Sequence, residues 1–131
     1  MMVDETELAE AVRRLRERYP CLQCLYLFGS QAAGNAGADS DVDFAAFVDN
    51  AAIARDPLLG IKMGRICEET LGKPVDFVVM NRANPILQHQ VLAQGRRVFE
   101  ADPAVRASAE ARSFRRYLDN LHYLKRRRLV A

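Results

Sequence analysis

Three short apolar runs, each of strand length and each tied to a polar residue that a buried strand seldom carries, constrain this chain most. The first, roughly Leu22 to Phe28, stops at Gly29-Ser30. Ten polar and glycine-bearing residues follow, and the second run opens at about Asp41 as Asp41-Val42-Asp43-Phe44. The third, Pro74-Val75-Asp76-Phe77-Val78-Val79-Met80, encloses Asp76. β-branched and aromatic side chains in runs this short favour strands. The stretches around them have helical spacing instead. Leu8, Ala11, Val12, Leu15 and Tyr19 form a stripe closed by Pro20, and a second helix is expected from Pro57 to Leu71 with Gly72 as its stop. Ile86, Leu87, Val91 and Leu92 make a third stripe ending at Gly95, and Arg97-Val98-Phe99 reads as a short fourth strand. A long C-terminal helix is expected from about Pro103, through Phe114, Tyr117, Leu118, Leu121 and Leu124. The order α-β-β-α-β-α-β-α implies an α+β fold in which a small mixed β-sheet is packed by helices.

With 131 residues, half of them hydrophobic, one sizeable core is expected and a second domain is not. The single domain would span 1–131, with its core over about 5–100 and a basic C-terminal helix over about 103–128. The opening Met1 to Glu7 lacks the basic start and apolar stretch of a secretory signal, and no run of about eighteen apolar residues occurs, so a cytoplasmic protein without membrane attachment is expected. Cys21 and Cys24 form a C-x-x-C, but no second pair completes it, Cys67 is distant and there are two histidines; buried, reduced cysteines are expected. Net charge is +2, yet residues 106–131 carry eight Lys/Arg against Glu110 and Asp119, which leaves the rest acidic. An acidic body suits a cation-dependent site. The basic tail suits a nucleic acid, an acidic protein surface or a solvated helix face.

Residues two apart on a strand project from one face, so Asp41 and Asp43 point together while Val42 turns away. At roughly 5 Å and an effective dielectric of about 20 their repulsion is on the order of 3 kcal/mol. A divalent cation offsets it best, and one held by carboxylate oxygens and water keeps positions open for phosphate, the habit of magnesium at triphosphates. Asp76, within an apolar run, would be costly to bury without a partner. If its strand lies beside the Asp41 to Phe47 strand, it completes a cluster able to hold two cations, or to hold one and act as general base toward a hydroxyl. Gly29 lets the backbone approach phosphate, and the Ser30 hydroxyl and amide can donate to it. No Gly-Lys-Ser/Thr follows, so the turn is not a P-loop, and the glycine spacing is not that of a dinucleotide fingerprint.

The set Gly29-Ser30, ten residues, Asp41-x-Asp43, then a carboxylate on a later strand resembles the DNA polymerase β-type nucleotidyltransferases, and the chain length is similar to that of their minimal (MNT) branch. Leu25-Tyr26-Leu27-Phe28-Gly29-Ser30, Ser40-Asp41-Val42-Asp43, Pro74-Val75-Asp76-Phe77-Val78 and Gln90 to Phe99 are similar to the MntA-like antitoxins of HEPN/MNT toxin-antitoxin systems. The resemblance covers about residues 5–100. It implies a palm-like nucleotidyltransferase fold and adenylylation of a tyrosine on a HEPN-domain ribonuclease toxin, using ATP and two magnesium ions. It also implies roles: Gly29 and Ser30 hold the phosphates, Asp41 and Asp43 ligate metal, and Asp76 ligates the second metal and helps deprotonate the tyrosine. Many relatives carry a basic residue after the Gly-Ser, where this chain has Gln31, which leaves Lys62, Arg65, Lys73 and Arg82 as unranked candidates to balance triphosphate charge. Two other readings stay open: an antitoxin that acts by binding alone, and a transferase for a small aminoglycoside-type acceptor.

Weaker signals have structural explanations. Arg116 and His122 match a loose R-x5-H, but lack the helical bundle a HEPN ribonuclease needs. His89 reads as a helix-surface or packing residue. Phe114, Tyr117, Leu118 and Leu121 suit either a partner or the domain's own sheet. Lys125 to Arg128 has no interleaved aromatic platform, so nucleic-acid contact by the tail is not expected.

Overall fold

The structure, a computed structural model, describes residues 3–29 and 41–127. Helix α1 (Glu5–Arg18) starts where the Asp4 carboxylate accepts the Thr6 amide at 2.7 Å. Glu5 and Glu7 in its first turn and Arg16 and Arg18 in its last complement the helix dipole. Strands β1 (Leu22–Phe28), β2 (Val42–Val48), β3 (Val75–Val79) and β4 (Arg96–Glu100) form one sheet in the order β3-β2-β1-β4. β1 pairs antiparallel with both β2 and β4, whereas β3 runs parallel to β2. The expected mixed sheet is thus present.

A parallel neighbour cannot be reached by a tight turn, and the crossover from β2 to β3 is made by α2 (Asn50–Arg55) and α3 (Leu59–Leu71). α2 is an element the apolar periodicity passes over; at six residues it is too short to show a stripe, and the Asp49 side chain caps it at the Ala51 amide. After β3 a 3-10 turn (Met80–Arg82) leads to α4 (Pro85–Gln94), then β4 and α5 (Pro103–Arg126). Asn81 in that turn binds both the Val48 amide (3.0 Å) and the Val48 carbonyl (2.7 Å), so a side-chain amide prolongs strand-like pairing at the end of β2. α4 and α5 both begin with proline behind an Asn84 or Asp102 side-chain cap.

The sheet separates two cores. On one face Leu25, Leu27, Val42, Phe44 and Ala46 pack with Leu8 and Leu15 of α1 and Leu59, Met63 and Cys67 of α3. On the other, Cys24, Tyr26, Ala45 and Phe47 meet Met80, Val91 of α4 and Ala109 of α5. Cys21 belongs to the first face and Cys24 to the second, so the C-x-x-C straddles the sheet and builds no common site. All three cysteines are unpaired, and burial pushes the Cys67 thiol up to about 12. Among the described residues no helix is long and apolar enough to cross a membrane.

Candidate active site

The register of the parallel pair sets Asp43 directly against Asp76. Asp43 shares its face of β2 with Ala45 and Phe47, and Asp76 shares its face of β3 with Val78, so both carboxylates stand on the α4/α5 side of the sheet. Asp41, two residues before Asp43, immediately precedes β2 on the same side. Half-burial and the facing Asp76 and Asp41 carboxylates, in that order, hold Asp43 above the ordinary carboxylate range. The three acids therefore form one electrostatic unit.

On the other flank of Asp43 lies the end of β1, with Phe28 in register against it. Gly29 follows at φ 70°, in the left-handed region that favours glycine. A methyl group built there would run into the Asp43 carboxylate. Any side chain at 29 would thus meet both backbone strain and the aspartate. Ser30 and Gln31 lie outside the described residues.

One expectation needs correction. Asp76 is exposed, not buried, because β3 is the outer strand of the sheet and solvent reaches it from the open edge. An exposed side chain stays in contact with water, so burial does not call for a partner there. Beside it a groove of about 270 Å³ runs between α3 and β3, bordered by Ile61, Arg65 and Asp76. The groove exists because α3 lies close on the strand: a Cβ at Gly60 would sit 3.1 Å from Val79 Cγ2, and one at Gly64 3.1 Å from Phe77 Cβ. The four-residue glycine spacing on an otherwise apolar and charged helix is the signal that could have revealed it. A larger hollow of about 570 Å³ between α1 and α3 lies apart from the carboxylates, and its Arg13 and Arg14 are engaged by Glu10, Glu17, Glu69 and Thr70.

The four cations named from the sequence separate in space. Lys62 Nζ is bound to Asp56 at 2.8 Å. Lys73 lies just before β3 and Arg82 ends the turn after it, at the strand end away from Asp76. Arg65 alone of the four borders the groove at Asp76. His89 stacks on Tyr117 with ring centroids 3.7 Å apart and planes 6° from parallel, which makes it a packing residue as expected. α5 rests on the fold through Ala109 and Ser113, leaving Phe114 and Leu118 about half exposed. Arg116 and His122 both face solvent.

Among the described residues no three His, Cys, Asp or Glu side chains converge tightly enough to enclose a single ion. The fit to magnesium lies in the donor chemistry: hard carboxylate oxygens only, on two adjacent strands, with a mutual repulsion that a divalent cation relieves.

Residues 10–104 match the family model described as Polymerase beta, Nucleotidyltransferase. A protein named protein adenylyltransferase MntA from Aphanizomenon flos-aquae is 35% identical over 72% of this chain and 67% of its own length. A solved toxin-antitoxin structure with AMP-PNP has the same fold at a TM-score of 0.74, with 24% identity over 94% of both chains. So does a complex of a tri-AMPylated Shewanella oneidensis HEPN toxin with its MNT antitoxin, at 0.66 and 22% over 95% of this chain and 92% of that one. The match runs across all four strands and the helices between them, and on it this chain belongs to the polymerase beta nucleotidyltransferase family, in its minimal, MntA-like branch.

Proposed function

We propose that this chain is an antitoxin adenylyltransferase that transfers AMP from ATP to a tyrosine hydroxyl of a cognate HEPN ribonuclease toxin and so silences it. The observation that carries the reading is the line Gly29, Asp43, Asp76 across three neighbouring strands, with Asp43 pressed by the Asp76 and Asp41 carboxylates. MntA, named for protein adenylyltransfer, and the AMPylated HEPN toxin in complex with its antitoxin supply the acceptor class by similarity. A cytoplasmic setting accords with three unpaired cysteines.

In this mechanism Gly29 and Ser30 would receive the phosphates, and Asp41, Asp43 and Asp76 would be the residues to hold two magnesium ions. When bound, magnesium neutralises charge on the triphosphate and on the attacking oxygen. Asp76, hydrated and facing the cluster, takes the phenolic proton as the tyrosine oxygen bonds to the α-phosphorus. The bond from that phosphorus to the bridging oxygen breaks, and pyrophosphate leaves.

The test is incubation with ATP labelled in its α-phosphate, magnesium and the cognate HEPN-domain toxin. Label should appear on a toxin tyrosine, require magnesium, and vanish in Asp41→Asn/Asp43→Asn while circular dichroism is unchanged. Absence of label with folded partners would sink the reading. Undiminished neutralisation by the double variant would point to binding alone.

A further inference from the structure

Helix α5 is partnered over only part of its length. As far as Ser113 it belongs to the body: Ala109 and Ser113 are buried, Glu110 accepts from the Tyr26 hydroxyl, and Arg106 is matched by Glu100 and Glu110. Beyond Ser113 no residue of the helix is buried. The stretch 114–126, roughly 20 Å of helix, nevertheless carries Phe114, Tyr117, Leu118, Leu121 and Leu124 at spacings of three and four. Tyr117 is taken by its stack on His89, while Phe114 and Leu118 remain 51% and 47% exposed. Charge divides in the same way. Among the described residues Arg112, Arg115, Arg116, Lys125 and Arg126 form no ion pair, and Asp119 is the one acid among them. At the head of the stripe a hollow of about 270 Å³ opens between α4 and α5, walled by His89, Leu92, Ala93, Glu110, Ser113 and Phe114, with room for one large apolar side chain.

We infer that residues 114–126 of α5 are the docking surface for the acceptor protein, which lays an amphipathic helix with acidic flanks along Phe114, Leu118 and Leu121. This rests on the transferase reading above. Anchors at i, i+4 and i+7 are those one helix presents to another, and the unmatched cations beside them set the sign of the partner's flanks. α5 packs on the side of the sheet from which Asp43 and Asp76 project, so a protein seated on it lies on the side where its tyrosine must arrive. Other occupants fit worse. A second copy would bring the same five cations against their like, and the acids of the body that could answer them are largely engaged: Glu5, Glu10, Glu17, Asp56 and Glu69 are each held by an Arg or Lys. A nucleic acid would answer the charge but leave Phe114 and Leu118 facing phosphate and water.

The inference is tested by binding without chemistry, which separates its failure from that of the transferase reading. The full chain carrying Asp41→Asn/Asp43→Asn is titrated with the cognate HEPN-domain toxin in the absence of nucleotide. Adding Phe114→Gln/Leu118→Gln should raise the Kd about tenfold or more, and Arg115→Gln/Arg116→Gln should raise it several-fold at low salt but less at about 0.5 M salt. Glutamine is a good helix former and all four positions are exposed, so circular dichroism and thermal denaturation should show the fold kept. An unchanged Kd in the apolar variant, or no binding before it is introduced, overturns the inference even where the toxin is labelled; a raised Kd upholds the docking surface even where no AMP is transferred. A photo-crosslinking residue at position 118 should capture a toxin helix with Asp or Glu beside the contact, and capture of a loop or a basic segment opposes it. Self-association of the free chain that Leu118→Gln abolishes, or binding of a single-stranded RNA that only the arginine variant loses, would assign the surface to a second copy or to nucleic acid and overturn it.

Discussion

The two faces of the sheet are built from the same four strands but by different means. The α1/α3 face is apolar throughout and continuous, with Phe44, Leu25, Leu27 and Met63 fully buried. The α4/α5 face has a smaller apolar cluster held by polar pins. Gln88 donates to the Met80 carbonyl at 2.7 Å and the Ala83 carbonyl at 3.0 Å, and accepts from Ser113 at 2.6 Å. The Tyr26 hydroxyl donates to Glu110 at 2.6 Å, and Arg106 joins Glu110 to Glu100. The carboxylates stand on this second face. The contrast teaches that stability is concentrated where no chemistry occurs, while the face that carries charge relies on directional contacts that fix position.

The sharpest way to break that contrast is to strike each face in turn. Phe44→Ala should cost about 3–5 kcal/mol in urea unfolding, because a ring with no exposed surface leaves a cavity between α1, α3 and the sheet. Equal damage from a carboxylate variant would refute the division. Asp41→Asn/Asp43→Asn should instead lower transfer by more than about 100-fold with the melting temperature kept or slightly raised, since losing metal-borne stabilisation removes several kcal/mol from the transition state alone. Gln88→Ala tests the pins: it removes a donor from the Met80 and Ala83 carbonyls and the acceptor of the buried Ser113 hydroxyl, and should cost about 1–3 kcal/mol.

The smallest effect has the most informative sign. Asp43 titrates above its unfolded value, so its ionisation opposes folding, and its contribution to stability is lost as pH rises through its folded value. Glu5, lowered by its hydrogen bond to Arg96, acts in the opposite sense and loses its contribution as pH falls. Asp43→Asn should therefore be slightly more stable than the parent at neutral pH, with the advantage shrinking toward about pH 4. Magnesium added to the parent should erase it. Equal stability of the two proteins at every pH would show that the carboxylates do not press on one another.

Much of the fold was legible in the sequence because its signals are local. Pro20, Gly72 and Gly95 end helices close to where the stripes stop, and the β-branched runs are strands. The candidate site was legible in part. Spacing alone puts Asp41 and Asp43 on one face, but nothing in the order of residues says that β3 pairs with β2, or that Asp76 meets Asp43. That register is a long-range outcome of α2 and α3 spanning the crossover. The exposure of Asp76 was misread for the same reason: an apolar run looks alike in a central and an outer strand, and only the strand order tells them apart. The groove was missed because Gly60 and Gly64 matter through what lies opposite them.

The parallel pairing of β2 with β3 also has a consequence in time. β1 and β2 can zip together as near neighbours in the chain, whereas Asp43 reaches Asp76 only after the intervening helices have folded and docked, the kind of distant pairing that forms slowly. A chain emerging from the ribosome holds two of its three site acids, Asp41 and Asp43, well before Asp76 exists. The site is thus assembled late, and nucleotide chemistry becomes a report that the whole sheet is complete.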